Sequence, residues 1–465
     1  MNTIKGIVGS IKKDRGGSLY TIVADTPTEI FTDAELDIYD YVEVSFDGQS
    51  PASAIPVVKD ESVKVLEKDG RQRYLEMVSS IHKKRLGVSS LFKDGRFGGV
   101  LNAMADRLDG AAKLFRTAYL TGAPMIIRFH SDGDGASGAI ALYRAIGSMG
   151  ARGGISWRIH KGVAHRPEAL HDDSAFLDRW TSAEKPLILL IDFGTSKEGE
   201  STLEIKKEKY SRICIDHHIV YEGFPYEKFS FYINPWLAGG TSDLTAGTVA
   251  AAFAERLCGK GMRELAEISM ISDHSVYAAG TDELRKKAFV LDAVTGFNIF
   301  GKTLSQLTPK YLDGLLADNE RMDEIFRTSS AKMERLIDEG IGRASGYRSS
   351  LGFKVFVVDF SRLDKETAEG IPSGKYSSSL QDKIESENGP AVTIVQNRGS
   401  ISLRCSKDIA GKAKILNMIK QMELSYDFVL GGGGHNEAAS IRVATANSAE
   451  AIEALLEHLE ANKRD

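Results

Sequence analysis

The texture of apolar and polar positions changes along the chain, and each change marks a part. In residues 1–56, short β-type segments at 3–11, 19–24 and 41–46 are separated by Gly, Asp, Asn and Pro, which predicts a small barrel of the oligonucleotide-binding kind. A charged connector at 57–73 then leads into residues 75–300. Helical spacing runs to about residue 120, and nearly continuous apolar runs follow at 124–129, 187–193 and 212–215, each pair separated by room for a crossover helix. Runs without alternation suit strands covered on both faces, so this region reads as β-α-β units around a parallel sheet. Helical apolar spacing at 138–149 and 245–257 fits that reading, with Gly259 as the stop after the second segment.

Residues 301–345 predict an amphipathic helical linker, with Met322, Ile325, Phe326, Met333, Leu336 and Ile337 on one stripe. Residues 346–465 predict a smaller α/β domain, with strands at 353–360, 391–396 and 400–403 and a terminal helix at 449–462 capped by Ser448. The fold class is therefore α/β, a parallel-sheet domain joined to a smaller α/β domain and an N-terminal barrel.

Composition narrows the function classes. With 42% hydrophobic and 26% charged residues in 465, the chain has the make-up of a soluble globular protein. No apolar run approaches the roughly 18–20 residues needed to span a bilayer, and the first residues lack the core of a signal peptide, so a cytoplasmic location without a membrane partner is expected. Cys214, Cys258 and Cys405 are too far apart for a zinc motif and read as reduced core thiols. The net charge of −5 means that any nucleic acid must be held by local patches or by metals. Candidate patches are Lys12, Lys13 and Arg15; Lys83, Lys84 and Arg85; and Arg285, Lys286 and Lys287.

Four segments at the ends of the predicted strands carry the chemistry, the last of them otherwise helix-like. In RFHSDGDGASG, a strand runs into His130, Asp132 and Asp134, which alternation would send the same way, while Gly133 and Gly135 let the backbone bend. LILLIDFG ends a wholly apolar strand on Asp192, a carboxylate that is costly to bury unless a cation meets it. CIDHHIV supplies Asp216, His217 and His218; the two rings are expected to point apart, with Asp216 orienting one of them. MISDHSVY adds Asp273. Together they match a site for two divalent cations about 3.5–4 Å apart sharing a carboxylate. Imidazole with carboxylate favours manganese, with magnesium or cobalt as alternatives.

This ordered series, D-x-D-G, a strand-end Asp, D-H-H and a later Asp, resembles the DHH phosphoesterases. VLGGGGHNEAAS resembles the glycine-rich motif of their DHHA1 substrate-binding domain. The resemblance covers about residues 125–442, and the N-terminal extension and H-x-D-x-D motif look most like archaeal RecJ-like exonucleases. It implies that His130, Asp132, Asp134, Asp192, His217 and Asp273 bind two metal ions, with Asp192 as the bridge. It further implies that His218 contacts the scissile phosphate, with Asp216 supporting it, and that Arg404, Gly432, Gly433, Gly434 and His435 hold the substrate's phosphates. Gly133 stands where Ala is commoner, and NEAAS replaces a usual ending in Gly; neither removes a ligand.

The expected activity is metal-dependent, single-strand-specific exonucleolytic release of mononucleotides from DNA or RNA, with a role in replication or repair. Two rivals accompany it. One is a replication-fork scaffold, which the resemblance implies because archaeal RecJ-like proteins are related to a eukaryotic helicase component and associate with the GINS complex; the other is a phosphodiesterase of short oligonucleotides or cyclic dinucleotides.

Overall fold

In a computed structural model of the chain, the described residues are 2–14, 17–24, 27–46, 57–150, 154–162, 164–206, 208–297, 303–434 and 436–463. Two compact units are present, 1–291 with 303–317, and 292–302 with 318–465.

The first unit opens with an antiparallel sheet of β1 (Asn2–Asp14), β2 (Gly17–Val23), β3 (Thr28–Thr32), β4 (Tyr41–Phe46) and β5 (Val63–Glu67), in the order β3-β2-β1-β4-β5. Val8, Ile11, Tyr20, Ile22, Ile30, Val42 and Val44 fill its core. Val58 N–H donates to Phe31 O (2.8 Å), drawing the chain before β5 against β3. Of the aromatics that a stacking surface would need, Tyr20 is buried with its hydroxyl on Ala34 O, and Arg71 and Arg73 lie over the rings of Tyr39 and Tyr41.

Next come β6 (Met125–His130), β7 (Ile155–His160), β8 (Trp180–Ser182), β9 (Leu187–Ile191), β10 (Ser211–Ile215) and β11 (Phe231–Ile233). β8 leaves this region to pair with β1, and the other five form a wholly parallel sheet of order β11-β10-β9-β6-β7. Ile126, Ile188 and Leu190 pack with Leu170 and Leu177 of the helix Pro167–Leu177. The alternate residues Ile127, Leu189 and Ile191 are equally buried, under the helices Gly133–Ser148 and Ala246–Cys258. Both faces are covered, which is why these strands read as unbroken apolar runs.

The helix expected from residue 138 begins at Gly133. Asp132 caps it by accepting from Gly135 N–H (3.0 Å), and the cap with the packing of the following turns outweighs the poor helix propensity of glycine. The terminal helix Ser448–His458 follows Asn447, so Ser448 is its first residue and not its cap. Cys214 and Cys405 are buried as expected, but Cys258 is half-exposed. None of the described helices is long and apolar enough to cross a membrane.

The second unit contains a mixed sheet of β12 (Ser345–Ser349), β13 (Lys354–Asp359), β14 (Ala391–Asn397), β15 (Ser400–Cys405), β16 (Val429–Gly434), β17 (Ala438–Val443) and β18 (Ala461–Lys463). Its order is β16-β17-β15-β14-β13-β12-β18. The helix Asn319–Arg343 belongs to this unit and buries Met322, Ile325, Met333, Leu336 and Ile337. Phe326 of the predicted stripe is only partly covered.

Candidate metal centre

Topology locates a crevice before any side chain is considered. From β6 the chain crosses to β7 on one side and later returns to β9 on the other, so the carboxyl ends of β6 and β9 part at a topological switch point, where open α/β sheets bind ligands. His130 ends β6 and Asp192 follows β9 directly. Asp192 N–H donates to Ile215 O (2.8 Å) and the residue adopts φ +65°, a left-handed conformation that costs a non-glycine residue roughly 1–3 kcal/mol. The bond to Ile215 O fixes the backbone that carries the carboxylate.

Asp192 stands at the centre of the cluster. Its Oδ2 is 3.5 Å from His130 Nδ1, which is 2.7 Å from Asp132 Oδ2. Its Oδ1 is 3.3 Å from His217 Nε2, yet this buried oxygen has no hydrogen-bond partner among the described residues. His217 Nε2 is also 3.7 Å from Asp134 Oδ2, and its Nδ1 is 3.7 Å from Asp273 Oδ2. Three groups of ligand atoms thus have their members within 4.8 Å of one another: His130 with Asp132 and Asp192; Asp134 with His217 and Asp273; and Asp192 with His217 and His218.

Secondary structure delivers these groups differently from simple alternation. The strand ends at His130, so Asp132 becomes a helix cap and Asp134 sits in the first turn, in a separate group from His130. Asp134 Oδ1 accepts from Gly247 N–H (2.7 Å) and Ser269 Oγ (2.6 Å), and its Oδ2 from Ala246 N–H (3.1 Å), at the start of the helix Ala246–Cys258. Gly135 serves close approach and not a bend: any Cβ there would lie 2.6 Å from His130 O. His217 and His218 do not point apart, because β10 ends at Ile215 and alternation has ceased; their ring centroids are 4.8 Å apart.

Asp216 is fully buried and supports the others. Its Oδ1 accepts from the amides of His217 (2.8 Å) and His218 (3.3 Å) and lies 2.7 Å from His218 Nδ1; its Oδ2 accepts from Thr195 N–H (3.0 Å) and Thr195 Oγ1 (2.6 Å). Burial opposes its charge, but His218, His217 and Thr195 overcome that and hold its carboxyl well below the usual range. Asp134 goes the other way: burial, and then the charge of Asp192, push its pKa well above the ordinary value. Burial disfavours protonated imidazole, yet Asp132 and Asp192 raise His130, and Asp273, Asp192 and Asp134 raise His217. Both histidines are drawn toward protonation by the carboxylates around them.

The donor set fits hard or borderline divalent cations. It consists of carboxylate and imidazole without thiolate, contains an unpartnered buried carboxylate oxygen, and has an excess of negative charge. Cys214 is close in sequence, but burial pushes its thiol pKa up, away from thiolate.

In the second unit, Arg404 donates from Nε to Ser378 Oγ (2.9 Å), from Nη1 to Leu403 O (2.9 Å) and from Nη2 to Gly374 O (3.1 Å). Gly432, Gly433 and Gly434 lie exposed on the edge strand β16, and Gly432 N–H donates to Glu423 Oε1 (2.7 Å). Register places Arg404 opposite Ala438 and Gly434 opposite Ala439, at one end of the sheet. His435 lies outside the described residues.

The expected site residues omit a layer that the structure supplies. Ser242 O lies 2.8 Å from His217 Nδ1, Asn234 Nδ2 donates to His218 O (3.0 Å), and Trp236 Nε1 donates to His217 O (3.1 Å). The Asn-Pro pair at 234–235 was a turn signal in the sequence that could have pointed to this loop.

No family model matches the chain. An uncharacterized protein of Methanocaldococcus jannaschii is 30% identical over 252 residues, 49% of this chain; the chain spans only 31% of that relative's length. Among solved structures, the DHH domain of a member of the s1p family of ribosomal proteins is similar with a TM-score of 0.69 at 20% identity, covering 85% of this chain and 98% of that one. A structure of exonuclease RecJ bound to manganese aligns with a TM-score of 0.47 at 18% identity, over 78% of this chain and 94% of that one. The first of these likenesses establishes the fold, that of a DHH domain.

Proposed function

We propose that this chain, having the fold of a DHH domain, is a two-metal phosphodiesterase of the RecJ-like kind. It removes mononucleotides from single-stranded DNA or RNA. The observation that carries the reading is that the group His130, Asp132 and Asp192 and the group Asp134, His217 and Asp273 are joined where Asp192 Oδ1, which has no hydrogen bond among the described residues, lies 3.3 Å from His217 Nε2.

His130, Asp132 and Asp192 would hold one cation, and Asp134, His217 and Asp273 the other, with Asp192 shared. Manganese suits the donors, and magnesium or cobalt can replace it. When bound, such a pair polarises a phosphodiester and makes a bound water acidic enough to supply hydroxide near neutral pH. The chain's own groups do the positioning. Asp216 fixes the His218 ring through Nδ1, and the ring, with 38% of the side chain exposed, meets the scissile phosphate. Asp134 is held by two backbone amides at a helix N-terminus and by Ser269, so its carboxylate cannot swing away from His217. Arg404, Gly432, Gly433, Gly434 and His435 are assigned to the substrate's other phosphates.

The test uses end-labelled single-stranded RNA and DNA of graded length, each with manganese and with magnesium. The full chain should release mononucleotides, faster from longer strands, and Asp192→Ala should lower the rate by on the order of 10³-fold or more. Unchanged turnover by Asp192→Ala would refute the assigned site. A preference for dinucleotides would favour a short-oligonucleotide phosphodiesterase.

A further inference from the structure

The turn Pro235–Ala238 is tied to the backbone of both histidines of the D-H-H motif. Asn234 Nδ2 donates to His218 O (3.0 Å), and the Trp236 indole N–H donates to His217 O (3.1 Å) and to Ser242 Oγ (3.1 Å). Ser242 Oγ donates to the same His217 carbonyl (2.9 Å). The main chain of Trp236 is fixed as well, its N–H donating to Asn234 Oδ1 (3.0 Å), and the next residue, Leu237, packs against the apolar cluster that includes Phe224, Phe229 and Tyr232. The indole is therefore held by its polar edge, by its backbone and by its neighbour. It nevertheless keeps 37% of its surface exposed.

This indole has its nitrogen engaged on the His217 carbonyl while more than a third of the residue stays exposed. Fixing the ring in advance removes most of the ordering cost of a contact on its face. A flat, rigid aromatic surface of this kind accepts any base, because every base has a π-face.

The geometry points to Trp236 as a nucleobase-stacking platform beside the metal cluster, so that the site takes base-bearing nucleotide chains in preference to base-free phosphodiesters. The inference rests on the phosphodiesterase reading above and names the part of the substrate that the metals do not recognise. It requires no charge and no titrating group, and it tolerates all bases alike.

The experiment compares two trinucleotides, one intact and one with base-free sugars at both ends, with manganese and the full chain, reading kcat/KM for each. The protein should prefer the intact trimer by about 10- to 100-fold. Trp236→Ala should bring that ratio close to one. Trp236→Phe removes the N–H bond to His217 O but keeps a ring, so it should retain most of the preference. Equal turnover of both trimers by the unaltered protein would overturn the stacking inference alone. So would Trp236→Phe behaving like Trp236→Ala, since the residue would then act only as an anchor for His217. Cleavage of neither trimer, nor of a longer single strand run beside them, would overturn the phosphodiesterase reading and the platform with it.

Discussion

Two buried carboxylate clusters flank the same strand, and they solve the problem of a buried charge in opposite ways. Asp173 has no exposed surface, and the chain meets it with two arginines and an imidazole: Arg128 Nε at 3.0 and 2.9 Å from its two oxygens, Arg158 Nη1 at 3.1 Å and His165 Nε2 at 3.1 Å. Burial works against its ionisation, but His165 and Arg128 reverse that and hold its carboxyl below the usual range. Two residues along β6, the cluster at His130 gathers carboxylates with imidazoles alone; Asp134 is pushed up instead of down, and Asp192 leaves an oxygen without a hydrogen bond. A buried carboxylate is compatible with folding when the sequence supplies its counter-charge. Where the sequence withholds it, the proposed function supplies the charge from outside.

Three changes would break or sharpen this contrast. The largest effect belongs to Asp173→Ala, which strands two arginines; urea unfolding should show a loss of about 3–5 kcal/mol. A cost below about 1 kcal/mol would mean that the two clusters are alike. Asp192→Asn should act in the opposite direction: in the presence of a chelator it should gain on the order of 1 kcal/mol, because Asn tolerates the left-handed backbone and no longer repels Asp134. A less stable variant would contradict the view that Asp192 is strained for function.

The smallest effect is in the pH dependence, and its sign separates the clusters. Asp134 has a folded pKa above its ordinary 3.8, so its contribution is fully present below 3.8 and is lost as pH rises through the raised value. His130 and His217, raised above 6.5, likewise contribute below 6.5 and lose that contribution as pH rises. Asp173 is the reverse, contributing above 3.8 and losing its effect as pH falls. In chelator, thermal melts from about pH 4 to about pH 7 should therefore show the unaltered protein losing ground to Asp134→Asn as pH increases. A constant gap would remove the assigned repulsion.

Much of this was legible in the residues, for physical reasons. The run Leu187–Ile191 reads as a strand because both faces are covered, and Asp192 stands out because nothing apolar explains a carboxylate there. What was not legible depended on contacts distant in sequence. The first motif's helix starts at Gly133 through the Asp132 cap and packing against residues near 247, which no glycine-rich segment announces. The pairing of β8 with β1 joins segments about 170 residues apart. The strand of four glycines, β16, is held by its partner β17 and not by any propensity of its own. The Asp173 cluster did leave one sign, Arg128 within an apolar strand, which required a buried acid that the sequence alone could not name.

The central claim is best tested by anomalous diffraction at the manganese edge from crystals of the full chain grown with manganese. The account predicts two peaks about 3.5–4 Å apart, with Asp192 touching both, His130 and Asp132 on one, and Asp134, His217 and Asp273 on the other. A single peak, or peaks that leave Asp192 without a metal contact, would contradict it.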